Sequence, residues 1–238
     1  MRIDTDKCQA CGACHTICVT DAISHDDGFG EIDADLCVEC YVCLRSGICP
    51  SAAFVAEPLA WPRILRHTFS AVQPVQSGSG LIDGRGTAEM KTNDVSGRYG
   101  PGEVGFTVDV GRPGLGATFA DVERIAMAVA AAGAVMVTGN PVTGLMTDPA
   151  TGAFRDDVKG ERVLSCVLEF KTDEADALAV VETLRRVADE VDTVFSVGCI
   201  ARCRDDGTDP ARELLDGAGV FRRPNGKTNI GLGRADPA

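Results

Sequence analysis

The chain has no long apolar run. Nowhere in its 238 residues does a stretch approach the roughly 18 apolar residues that span a bilayer. The longest apolar region, Ile125 to Val137, is broken by Gly133 and reads as a buried helix running into a strand. The N-terminus lacks the basic-then-apolar pattern of a signal peptide, so cytoplasmic residence is the expectation. A surplus of positive charge is also missing: 23 Lys and Arg stand against 35 Asp and Glu, a formal net charge of −12 with a pI near 4.7. Such a surface repels phosphate backbones and anionic headgroups, which argues against nucleic acid and membrane as partners. It suits a basic patch on a partner protein, or simply solubility. Hydrophobic residues at 45% and charged residues at 24% are ordinary for a globular protein long enough to build a core.

What the chain does have is cysteine, unevenly spread. Of eleven cysteines, eight fall between Cys8 and Cys49, and the others are Cys166, Cys199 and Cys203. Clusters of this kind in an intracellular chain point to metal rather than disulfides. The distribution marks a boundary near residue 57. Residues 1–57 also repeat internally: IDTDKCQACGACHTIC is echoed by IDADLCVECYVCLRSGIC. Each copy opens with a strand-like segment (Ile3-Asp4, Ile32-Asp33), runs into C-x2-C-x2-C, and ends on a small apolar stretch. A small domain of this design has little other core, so bound metal would hold it together.

The motifs are Cys8-x2-Cys11-x2-Cys14-x3-Cys18 and Cys37-x2-Cys40-x2-Cys43-x5-Cys49-Pro50. Iron–sulfur clusters need thiolate ligands, and close C-x2-C spacing lets one loop wrap three corners of a cube, while the fourth cysteine reaches the other cluster. Cys8, Cys11, Cys14 and Cys49 are therefore assigned to one cluster, and Cys37, Cys40, Cys43 and Cys18 to the other. A pair of four-cysteine zinc sites is the alternative, but it leaves the third cysteine of each triplet and its distant fourth unexplained. The pattern resembles the bacterial two-cluster ferredoxins over residues 1–57, which implies two [4Fe–4S] clusters and electron transfer. There are two departures from that pattern: Val19 follows Cys18 in place of proline, and five residues rather than three separate Cys43 from Cys49.

Residues 58–103 read as a connector punctuated by Pro58, Pro62 and Pro74, with one strand expected over Arg63 to Val72. Glycines at 78, 80, 84, 86, 97, 100, 102 and 105 follow, and glycine-rich loops of that length are commonly functional. Among them stand Arg85, Glu89, Lys91, Asn93, Asp94 and Arg98, a set able to hold an anionic or amide-bearing ligand or to pin the loop on itself. Residues 104–203 become regular. The expected order is a strand at 104–110, a helix at 119–132 capped by Thr118 and stopped by Gly133, and a strand at 134–138. A loop at 140–160, a strand at 162–171, a helix at 173–190 capped by Thr172, and a strand at 191–197 follow. This is the βαββαβ order of a ferredoxin-like sandwich, and the fold class expected for the whole chain is α+β. Residues 204–238 read as a polar tail.

Taken with the cysteine repeat, the segment from Gly84 to Phe106 resembles the iron–sulfur region of 6-hydroxynicotinate reductase-like proteins. That resemblance implies reduction of an N-heterocycle with low-potential electrons, with Arg85 and Arg98 facing a carboxylate. It also implies a flavin, for which no G-x-G-x-x-G after a strand provides here, so a flavin would belong to a partner chain, a catalytic flavoprotein subunit. The main expectation is an electron-transfer protein or subunit serving a redox partner; the others are a ferredoxin-dependent oxidoreductase and a redox- or ligand-sensing module. Cys166 reads as a core residue, and Cys199 with Cys203 as buried thiols or, with Cys166, a third metal site. His15 and His25 read as surface residues, His67 has no evident partner, and Trp61 with Pro62 packs the domain junction.

Overall fold

The computed structural model describes residues 1–25, 28–72, 85 and 97–221. In the first segment each copy of the repeat pairs with the other rather than with itself. Strand β1 (Arg2–Ile3), which opens the first copy, lies antiparallel to β4 (Phe54–Val55), which closes the second. Strand β2 (Ile23–Ser24) closes the first copy and pairs with β3 (Glu31–Ile32), which opens the second. The exchange is reciprocal to the bond: Asp4 N donates to Ala53 O at 2.8 Å and Asp33 N to Ala22 O at 2.8 Å. Strands of two residues have no stability alone. They are held by a small core of Met1, Ile23, Tyr41 and Phe54 with the cysteines packed against it. A short 3-10 turn (His15–Ile17) follows the first cysteine triplet, and helix α1 (Val42–Arg45) begins within the second.

The strand expected over 63–72 is a helix, α2 (Ile64–Ser70), and every one of its residues is buried. A period-2 reading fails here because the segment is covered on all sides, so its polarity reports no single face. Leu65 and Phe69, four residues apart on one face, belong to the core of the larger domain. Arg66 and His67 reach instead to the cysteine domain.

The larger domain is a four-stranded antiparallel sheet of order β12-β5-β11-β7. Its strands are β5 (Glu103–Val110), β7 (Val135–Met136), β11 (Cys166–Asp173) and β12 (Phe195–Ala201). Alternate residues Val104, Phe106, Val108 and Val110 of β5 and Cys166, Leu168 and Phe170 of β11 point into one core with helices α3 (Phe119–Ala131) and α4 (Ala177–Val187). Phe170 pairs with Phe106 in the β5–β11 register, and the rings stack at 5.4 Å. On the opposite face Gly105 leaves room for Tyr99, whose ring would stand 2.3 Å from a Cβ there. Thr118 does cap α3, its Oγ1 accepting from Asp121 N at 3.2 Å, and Gly133 follows with φ +91.

Several boundaries differ from the expectation. The strand expected at 162–171 is two: β10 (Arg162–Val163) pairs with β6 (Ala117–Thr118), and only β11 joins the main sheet. Thr172 lies inside β11 and caps nothing; α4 starts at Ala177 after a 3-10 turn at Glu174–Asp176. Helix α4 ends at Val187, short of the expected 190, and a turn and bend over 188–193 lead to the last strand, which pairs with β5 over 195–201. The stretch 140–160 contains a hairpin of β8 (Met146–Asp148) and β9 (Ala153–Phe154). The tail holds helix α5 (Pro210–Gly217), whose start is signalled by Asp209 accepting from Arg212 N and by Pro210 in the first turn. No helix among the described residues is long and apolar enough to cross a membrane. Phe170→Ala empties the centre of this core and is expected to cost about 3–5 kcal/mol, measurable as a lowered urea midpoint followed through the single tryptophan, Trp61.

Candidate metal centre

The two cysteine loops bend at equivalent places. Ala10 and Glu39 both have φ 52, Gly12 has φ 69 and Tyr41 φ 59, and Asp21 and Ala52 have φ 52 and 50. Left-handed backbone is unfavourable for Glu and Tyr, so the second loop must be held by its surroundings. Each loop also starts alike: Cys8 N donates to Asp4 O at 2.9 Å, and Cys37 N to Asp33 O at 3.0 Å.

Two depressions result, of about 330 and 360 Å³ counting space open to solvent. Cys8, Cys11, Cys14 and Cys49 line the first. Cys18, Cys37, Cys40 and Cys43 line the second. The thiols are met by donors in matching pairs. Ala22 N donates to Cys18 Sγ at 3.2 Å and Ala53 N to Cys49 Sγ at 3.3 Å. The hydroxyls of Thr20 and Ser51 stand 3.8 and 3.5 Å from the same two sulfurs. Burial pushes the Cys14, Cys37 and Cys40 thiols up, and burial with the neighbouring Cys40 and Cys37 pushes Cys43 up to about 12. Cys49 is held low by the Ser51 hydroxyl and the Ala53 N–H. Four thiolates gathered in one depression are unfavourable without a cation among them. Four thiols per depression, with backbone N–H groups aimed at sulfur, are the donor set a [4Fe–4S] cluster uses. Residues 44–48, which lengthen the second motif, are exposed and bulge outward while Cys49 keeps its place. Val19, where the resemblance would have proline, accepts from Gly114 N at 2.6 Å and so touches the larger domain.

The second loop is clamped from behind. The Glu39 side chain is fully buried and meets the Met1 amine at 2.7 Å and Arg63 at 2.7 Å. Arg66 donates to the carbonyls of Ala34, Asp35 and Cys37 at 2.9–3.0 Å and pairs with Glu161 of the larger domain. His67 is wholly buried; its Nδ1 lies 2.7 Å from Glu39 O, and its ring stands 4.4 Å from that of Tyr41. His67 thus has partners that its sequence context does not disclose. His25, expected on the surface, is half-buried with Nε2 3.3 Å from Cys14 Sγ. Apart from Glu39, which lies within the second cysteine motif, none of these groups stands in a motif; a sequence signal for His25 is that the second copy of the repeat has Ala56 in its place.

The candidate loop is only partly visible: Glu89, Lys91, Asn93 and Asp94 lie outside the described residues. Arg85 contacts the Ser165 hydroxyl and stands 3.9 Å from Asp109, while its carbonyl accepts from Val167 N at 2.6 Å. Arg98 pairs with the buried Glu169 at 3.4 Å. Both lie on the sheet face turned away from α3 and α4, and both have protein partners. Cys166 sits at the start of β11 opposite Val110, and Cys199 sits in β12 opposite Phe106. With β5 between them and four residues of offset, roughly 13 Å along a strand, they cannot share one ion with Cys203. Trp61 packs against the larger core, its Nε1 donating to Asp157 at 2.6 Å. Glu39→Ala leaves the buried amine unpaired and is expected to cost about 3 kcal/mol. The measurement is a lowered denaturant midpoint together with a loss of visible absorbance, and Phe170→Ala should leave that absorbance intact in the folded protein.

The model of the 4Fe-4S binding domain family matches residues 1–24. Two sequences named Ferredoxin-1 from Rhodobacter capsulatus are 45% identical over 40 residues, 17% of this chain and 62% of theirs. The match therefore spans under two thirds of those relatives and lies in a small part of this chain. No solved structure matches. Over its N-terminal segment the chain is thus similar to ferredoxin-type 4Fe–4S binding domains.

Proposed function

We propose that the chain is an electron-transfer protein or subunit carrying two [4Fe–4S] clusters, one on Cys8, Cys11, Cys14 and Cys49 and the other on Cys18, Cys37, Cys40 and Cys43. The observation that carries this reading is the pair of four-thiol depressions, each drawing its fourth thiol from the other copy of the repeat. Among the described residues no three His, Cys, Asp or Glu side chains gather tightly enough for a single metal ion, whereas a zinc site built from four cysteines needs all its sulfurs about 2.3 Å from one point.

Bound there, the clusters supply one-electron storage and relay. The chain's own residues do the rest. Ala22, Ala53 and Gly30 direct N–H groups at sulfur, and α2 closes over the second loop. The first loop is left outward, with Cys11 exposed. The partner is a redox protein that docks on this acidic chain, and a flavin, where one takes part, belongs to that partner. The order β12-β5-β11-β7 with α3 and α4 on one face supports reading the larger domain as a ferredoxin-like βαββαβ sandwich, divided from the cluster domain near residue 57.

The reading as a 6-hydroxynicotinate reductase-like enzyme draws no support from Arg85 and Arg98, whose guanidinium groups are engaged by Ser165, Asp109 and Glu169. Protein purified without oxygen is expected to hold about eight irons and eight sulfides, and Cys11→Ser or Cys40→Ser about four. Zinc in their place, or four irons in the parent chain, overturns the assignment. Turnover of a pyridone by the chain alone with a strong reductant would replace the carrier reading with an enzyme.

A further inference from the structure

The two halves of the cluster domain are close copies, and His25 is where they part. The bonds to sulfur from groups two or four residues past the last cysteine of each motif come in twins: Ala22 with Ala53, Thr20 with Ser51. His25 Nε2 lies 3.3 Å from Cys14 Sγ, and the equivalent place in the second copy is Ala56, which is exposed and has no polar side chain.

The ring sits in a built slot. Its edge faces His15 at 6.5 Å between centroids. Gly30 makes room for it, since a Cβ at Gly30 would stand 3.0 Å from His25 Cε1 and 2.8 Å from Ile3 Cδ1. The same Gly30 sends its N–H to Cys8 Sγ at 3.5 Å. His25 Nδ1 is buried and has no hydrogen-bond partner among the described residues. Of the two neutral tautomers, the one with its proton on Nε2 gives Cys14 a donor. The other would bury an N–H with no acceptor and turn a lone pair toward sulfur, which costs more.

We propose that His25 is a potential-setting residue: its Nε2–H donates to Cys14 Sγ and favours the reduced state of the first cluster over that of the second. This rests on the two-cluster reading above. No bond is made or broken. One electron added to the cluster increases the negative charge on its sulfurs, and a fixed N–H donor is worth more to the more negative acceptor. His25 is thereby one side chain through which the first cluster differs from its near-copy.

The experiment compares the parent chain with His25→Phe, which keeps a ring in the slot without a donor, and His25→Gln, which carries an N–H at the same reach. Iron and sulfide are counted first. Both couples are then titrated anaerobically under electron paramagnetic resonance at a single pH of about 8, above the ordinary imidazole range. His25→Phe is expected to disfavour reduction of one couple about tenfold, which for one electron is 59 mV; His25→Gln should recover most of it. The couple that moves is the one that Cys14→Ser also alters. Eight irons with neither couple shifted, both shifted alike, or Gln as low as Phe overturns the role of His25 alone. A parent chain without two clusters overturns the reading beneath it as well.

Discussion

The buried carboxylate of Glu39 is the contact on which the rest of the arrangement depends. It sits between Cys37 and Cys40, has no solvent access, and is neutralised by the Met1 amine and Arg63. A carboxylate in that place is tolerable only when paired. Pairing it ties the start of β1, the second cysteine loop and the residue that begins α2 to one point. The left-handed backbone at Glu39 and Tyr41 is then held by the ion pairs, by His67 on the Glu39 carbonyl and by the Tyr41–His67 contact.

From that point α2 extends the constraint in the other direction. Arg66 directs its guanidinium at three carbonyls of the second loop and at Glu161, while Leu65 and Phe69 enter the sheet core. One helix of seven residues thus serves two hydrophobic cores and one ion-pair network. The cost of burying Arg66 is offset because its Nε meets Glu161 and its Nη1 meets three fixed carbonyls. The consequence is an asymmetry between near-identical loops. The second is gripped from behind by α2, whereas the first keeps Cys11 exposed and has His25 beside Cys14.

Much of this is legible in the sequence. The cysteine spacing predicts two sets of four thiols with the fourth crossing between the copies, because three close cysteines exhaust the reach of a short loop, and the same two sets line the two depressions. The alternation of Val104, Phe106, Val108 and Val110, and the Thr118 cap with its Gly133 stop, are local features, and the observed strand and helix match them. The failures share a cause, which is that distant contacts override a local pattern. The segment 63–72 reads as a strand because a helix buried all round has no polar face to betray its period. Thr172 reads as a cap, yet strand pairing with β5 extends β11 through it. Asp209-Pro210 is a helix start that is easily passed over in a polar tail.

Spacing and periodicity alone carry the grouping of the eight cysteines in the first fifty residues and the order of the main elements in the rest, since both are local properties of the chain. What surrounds the thiols is settled in three dimensions. Arg63, Arg66 and His67 lie outside any motif and Glu39 fills a variable position of one, and each matters through a partner distant in the chain. His25 directly follows the strand that places it, yet its target sulfur belongs to the first cysteine triplet, eleven residues earlier. Reach, burial and the absence of a competing partner are properties of positions in space, and they turn a repeat of eight cysteines into two unlike sites.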